Sequence, residues 1–216
     1  MIRVARAEEP AAFEERVRTP GLRAIAEMVG EKPKRPSGLR HKKVASRRED
    51  IPAALFPSYW TEVLGDLMTA YNRICAYSCF AIHPVTGAAS ADHFVAKART
   101  WDKVYEWDNY RLACNRLNAR KKDFTGLLDP FEIPDGWFQL ELVGFQVIPN
   151  PALDGPTRSR VRHTIDTLKL DDFRRGREAD AENYWAKDVS LKILTQESPF
   201  VAKELRRQGR LNKGDQ

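Results

Sequence analysis

One stretch constrains the fold more than any other, because the periodicity of the chain changes twice within it. From Cys75 to Phe94 the pattern changes, and the text "CFAIHPVTGAASADHFV", residues 79–95, gives two short apolar runs around the turn-like "PVTG", which reads as a β-hairpin. "TWDKVYEW" follows as an aromatic loop. "DNYRLACNRLNARKKDF" then reads as a helix capped by Asp108 or Asn109, with Leu112, Ala113, Leu117 and Tyr110 toward the core. The expected order is strand, turn, strand, loop, helix, and the expected class is α+β.

The flanks read as helical. "PAAFEERV" and "PGLRAIAEMVG" are two short helical patterns, each opening on proline, a residue favoured in a first turn. In "PSYWTEVLGDLMTAYNRICAYS" Trp60, Val63, Leu64, Leu67, Met68, Tyr71 and Ile74 recur at helical spacing. "GWFQLELVGFQVIPNP" predicts one strand or two. "SRVRHTIDTLKLDDFRRGREADAENYWAKDVSLKIL" predicts helix with a break near Leu170 to Asp172, and "SPFVAKELRRQG" a last helix with Ser198 as N-cap. The division expected is a helical and basic N-terminal extension over 1–56, a core with its preceding helix and following strands over 57–150, and a helical region over 151–216.

Asp92 and His93 are neighbours at a strand end, where adjacent side chains point to opposite faces, so they need separate tasks. A hairpin packed on a helix lets this pair face Asn118. A carboxylate from Asp92 and an amide oxygen from Asn118 suit a hard cation such as Mg²⁺, which takes oxygen ligands, water and phosphate. His93 is then free to act as a general base on water. The aromatic residues Trp101, Tyr105, Trp107 and Tyr110 read as a small core rather than a stacking platform.

The segments "ADHFVAKA", "YEWDNYRLAC" and "CNRLNARK" resemble the HNH endonucleases, whose core is the ββα-metal fold. The resemblance implies that His93 activates water, that Asp92 and Asn118 hold a divalent metal (Mg²⁺, with Mn²⁺ as substitute), and that Asn109 fixes the loop orienting the histidine. Lys97, Arg120 and Lys121 would contact phosphate. It implies phosphodiester hydrolysis of nucleic acid, DNA in the first place, with an RNA (tRNA) nuclease or a catalytically silent binding subunit as alternatives. The late "TIDTLKLDDFRRGRE" resembles HNH proteins encoded beside an ATPase in Septu-like and retron-associated anti-phage systems, implying a defence role and an ATPase partner. Many HNH proteins carry a structural zinc on two Cys-x-x-Cys pairs. Here Ser78 and Leu117 stand at two of those places and Cys75, Cys79 and Cys114 remain, so the expectation is that this zinc is lost.

The net charge of +6, from 36 Lys and Arg against 30 Asp and Glu, keeps a polyanion among the partners. Glu31 to Asp50 holds eight Lys or Arg and reads either as a solvated linker or as an arm lying on phosphates. No secretory leader or membrane span is expected, and three sparse cysteines suggest a reducing cytoplasm.

Overall fold

A computed structural model describes residues 1–31 and 40–215. The middle of the Glu31 to Asp50 arm therefore lies outside the described residues. The protein mixes helices with two small antiparallel sheets. No helix among the described residues is long and apolar enough to cross a membrane.

The two N-terminal helical patterns are one continuous element. A wide π-helical turn, Glu14–Arg18, runs into α1, Thr19–Met28. Pro20 falls inside this run, two residues after the π-helical turn, and does not break it. Gly21 is required by space rather than by φ. A Cβ there would sit 2.3 Å from the Tyr105 ring, so the helix presses its backbone onto that aromatic.

The expected long helix after Pro57 is shorter than its periodicity suggests. A 3₁₀ segment, Tyr59–Val63, leads into α2, Leu64–Ala70. It ends where Asn72 and Arg73 take left-handed φ of 49° and 63°. The segment from Ile74 to Ala81 contributes only the bridge Ile74↔Ala81, so the hairpin expected around "PVTG" does not form.

Instead β1, Ala89–His93, pairs antiparallel with β2, Tyr110–Cys114. The helical expectation for "DNYRLACNRLNARKK" is thus half wrong. Its first part is a strand and only Asn115–Lys121 forms α3. Tyr110, Arg111, Leu112 and Ala113 are all buried. Both faces of this strand are covered, which hides the alternation that marks a half-buried strand. Asp92 lies opposite Arg111 and His93 opposite Tyr110. The expected strand at Ala89–His93 and the end of the expected helix, Asn115–Lys121, are present, while the partner strand comes from Tyr110–Cys114 instead of the run before "PVTG".

The second sheet pairs β3, Phe138–Leu140, with β4, Val147–Pro149. Four C-terminal helices follow, α4 (Gly155–Leu168), α5 (Arg174–Trp185), α6 (Leu191–Glu197) and α7 (Pro199–Arg207), and the sheet packs on α4 and α7. Leu140 N donates to Glu204 at 2.8 Å, Val147 N to Asp171 at 2.8 Å, and the Arg177 guanidinium to Phe145 O at 2.9 Å. The break between α4 and α5 falls where expected, at Lys169 with φ 49°. Ser198 precedes α7, but its hydroxyl bonds Asp180 rather than capping the helix. One hydrophobic core runs from Phe13 through Leu67, Leu112 and Leu117 to Leu168 and Leu205, so the three expected parts share an interior.

Candidate active site

The loop between β1 and β2 is closed at its neck by Phe94 N donating to Asn109 O at 2.8 Å. The Asn109 side chain then locks it. Its amide donates to Val95 O at 3.0 Å and Lys103 O at 2.8 Å, and its oxygen accepts from Val95 N at 2.8 Å. Only a primary amide offers two donors and an acceptor in one plane. Trp107 and Tyr105 are buried beneath the loop, and Trp107 Nε1 donates to Ala7 O at 3.0 Å.

This loop positions His93. The ring's Nε2 lies 2.9 Å from Val104 O. A carbonyl oxygen cannot donate, so Nε2 carries the proton and Nδ1 keeps the lone pair. Trp60 meets the ring edge-on at 4.7 Å and Tyr110 at 5.1 Å, so the imidazole cannot swing. Burial is the main cause that lowers its pKa, from the usual 6.5 to about 3, with the charges of Lys97 and Lys121 adding to it and the Val104 bond opposing. The imidazole is neutral across the ordinary pH range with its lone pair on Nδ1, and the same burial that keeps it neutral weakens it as a base.

Asp92 is 2% exposed. Its Oδ2 accepts from the Tyr77 hydroxyl at 2.5 Å, and its Oδ1 lies 3.1 Å from the Lys121 ammonium. Lys121, 1% exposed, also donates to His93 O at 2.7 Å. Burial holds the Asp92 carboxyl above its usual range, while Lys121, Tyr77 and Arg111 pull it back. Arg111 is itself fixed by a two-point pair with Asp129, at 2.8 and 2.6 Å, and lies 3.6 Å over the Phe131 ring.

Asn118, one turn into α3, donates from Nδ2 to Ser90 Oγ at 3.2 Å. Asp92, His93, Lys97, Asn118 and Lys122 all line one open cavity of about 270 Å³, together with Trp60 and Asp123. Three of the residues expected to act together are thus brought to one place. Lys97 joins them, with its ammonium 4.1 Å from the centre of the Trp60 ring.

Two expected phosphate contacts are otherwise engaged. Lys121 is buried on Asp92. Arg120 is tied to Asp172 and to Leu168 O at 3.0 Å. Helical position alone marks them as a charged face; the acids that neutralise them come from distant sequence. Conversely, Lys122 and Trp60 reach the cavity unannounced, and Tyr77 reaches Asp92. Trp60 reads in the sequence as a core position, and nothing local marks the other two.

The donors present suit a hard cation in kind. A carboxylate and an amide oxygen share the cavity wall, and Mg²⁺ commonly takes few protein ligands beside water and phosphate. The Lys121 ammonium competes for the same carboxylate oxygen. Among the described residues no group of three or more His, Cys, Asp or Glu side chains is arranged to hold a metal ion. Cys75 and Cys79 are buried and Cys114 half-buried, all as free thiols. His83, which lines a cavity with Cys75 and Cys114, uses Nδ1 to accept from Val85 N and Thr86 N at 3.2 and 3.0 Å. Leu117 is wholly buried. No protein-family model matches the chain, and no curated protein matches it either.

Proposed function

We propose that the protein is a metal-dependent endonuclease of the HNH type, hydrolysing phosphodiester bonds of nucleic acid, with DNA as the first substrate to test. The observation that carries this reading is the state of His93. Its outer nitrogen is held protonated by a backbone carbonyl, leaving Nδ1 as a fixed, neutral base in a cavity shared with a carboxylate and an amide oxygen. The defence role and the ATPase partner rest on the sequence resemblance alone.

In this reading Asp92 and Asn118 would hold a divalent cation, which when bound supplies charge stabilisation to the phosphate oxygens. His93 Nδ1 takes the proton from the attacking water. Asn109 is a positioning residue, since it shapes the loop whose Val104 carbonyl orients the imidazole. Lys97 offers its charge to the phosphate from above the Trp60 ring.

The test is cleavage of plasmid, single-stranded DNA and total tRNA with Mg²⁺, Mn²⁺ or EDTA. His93→Ala should remove cleavage while leaving the fold and nucleic-acid binding unchanged. Cleavage that persists in that variant would sink the assignment. No cleavage by the wild type while it still binds nucleic acid would favour a silent binding subunit.

A further inference from the structure

At the start of α3, away from the residues that line the candidate site, two cysteines share a second cavity. The chain carrying Cys75 runs beside β2, held by Ala76 N donating to Leu112 O at 2.8 Å. Cys114 N donates to Cys75 Sγ at 3.4 Å. Both residues line a cavity of about 480 Å³ with Ser78, His83, Asp172 and Phe173. We propose that Cys75 and Cys114 are a reversible dithiol–disulfide pair, oxidised by hydroperoxides, with Cys75 attacking and Cys114 resolving. This inference is independent of the nuclease reading.

The roles follow from the surroundings of each sulfur. Burial pushes the Cys75 thiol up, but hydrogen bonds from the Cys114 thiol and from Ser78 outweigh it and bring the net shift down. The Cys114 thiol is pushed up, first by its bond to Cys75 and then by burial. The Cys75 sulfur, which also accepts from Cys114 N at 3.4 Å, is the better placed of the two to carry a thiolate, the form that is the nucleophile. Cys79 differs, since burial pushes its thiol up without such compensation.

In the first step the Cys75 thiolate attacks one peroxide oxygen. An S–O bond forms, the O–O bond breaks, and the departing hydroxide (or alkoxide) takes a proton as water (or alcohol). The Cys114 sulfur then attacks the sulfenic sulfur, the S–S bond forms and a second water leaves. The pair of thiols loses two electrons and two hydrogens and the peroxide gains them. A thiol such as glutathione reverses the bond by exchange. Cys114 immediately precedes α3, so the cross-link would pin the start of the helix that carries Asn118 and Lys121.

The reduced full-length chain, treated with a small excess of hydrogen peroxide, should lose about two mass units and yield a Cys75–Cys114 linked peptide that dithiothreitol abolishes. Cys114→Ser should stop at a sulfenic acid on Cys75, captured by dimedone. Cys75→Ser should give neither cross-link nor adduct, and Cys79→Ser should leave the cross-link intact. Circular dichroism establishes that each variant is folded; where one is not, the wild-type peptide map decides alone. A link through Cys79, or no mass loss at a peroxide dose that fully oxidises a free cysteine peptide, would overturn the proposal.

Discussion

Lys121→Met tests the balance on which the candidate site rests. The wild-type ammonium and the Asp92 carboxylate face each other at 3.1 Å with 1% and 2% of their side chains exposed. Methionine keeps the length of the side chain and removes the charge. The folded variant then has two options. Leaving the carboxylate ionised and unpaired costs about 3–5 kcal/mol. Protonating it costs about 1.4 kcal/mol for each pH unit above its ordinary range, or about 4 kcal/mol at neutral pH.

Burial already holds Asp92 above its usual value in the wild type, and loss of Lys121 raises it further. For a carboxyl whose folded pKa is raised, the unfolded chain sheds its proton first, so stability falls as pH rises from the unfolded towards the folded value. The deficit relative to wild type should therefore widen by up to about 1.4 kcal/mol per unit once pH passes the already raised wild-type value. Near pH 4 it should shrink to roughly 1 kcal/mol, the lost hydrogen bond to His93 O. Urea unfolding at about pH 4.5, 6 and 7.5 measures it. Adding Asp92→Asn should flatten the pH dependence. A deficit that is the same at every pH, or that survives Asp92→Asn undiminished, would refute the claim that this pair sets the charge state of the site.

Asn109→Ala removes three bonds to the loop. It should cost about 2–4 kcal/mol and speed amide exchange across residues 94–104 before global unfolding; unchanged exchange there would contradict the locking role. Gly21→Ala drives a methyl into the Tyr105 ring and should destabilise by at least about 1–3 kcal/mol. Gly176→Ala, in α5 with only ordinary contact to Phe80, should instead stabilise by about 0.5 kcal/mol, so thermal melts of the two variants should move in opposite directions. Because His93 is held neutral down to about pH 3, kcat/KM for cleavage should show no acid limb near pH 6.5; such a limb would mean the ring is more solvated than its packing implies. The same shift makes His93 a source of stability that is present above pH 6.5 and drains away below it, at up to about 1.4 kcal/mol per unit towards pH 3.

What the sequence revealed of the candidate site was its polar membership, and what it concealed was the pairing. Asp92, His93 and Asn118 announce themselves because none is a natural packing choice, and they do line one cavity. Tyr110 to Cys114 does not announce itself as a strand. Its residues are covered on both faces, and the helical run that follows carries the pattern backwards across the boundary. Arg120 and Lys121 look like a solvated basic face because the groups that hold them, Asp172 and Asp92, are far off in sequence. Asn109 was legible as a special position by resemblance, while its three bonds needed the fold.

The N-terminal segment bears on how much of this chain can be moved elsewhere. Phe13 lies wholly buried against the rings of Trp107 and Tyr110, at 5.7 and 5.9 Å, and Val4 N donates to Pro130 O at 2.9 Å. The aromatic pair it touches underlies the loop that holds His93. A minimal fragment cut before Ile51, as one would choose when grafting a strand–strand–helix unit into another scaffold, would therefore lose the floor of the loop that holds His93. The portable unit is larger than the motif, and it begins upstream of Phe13.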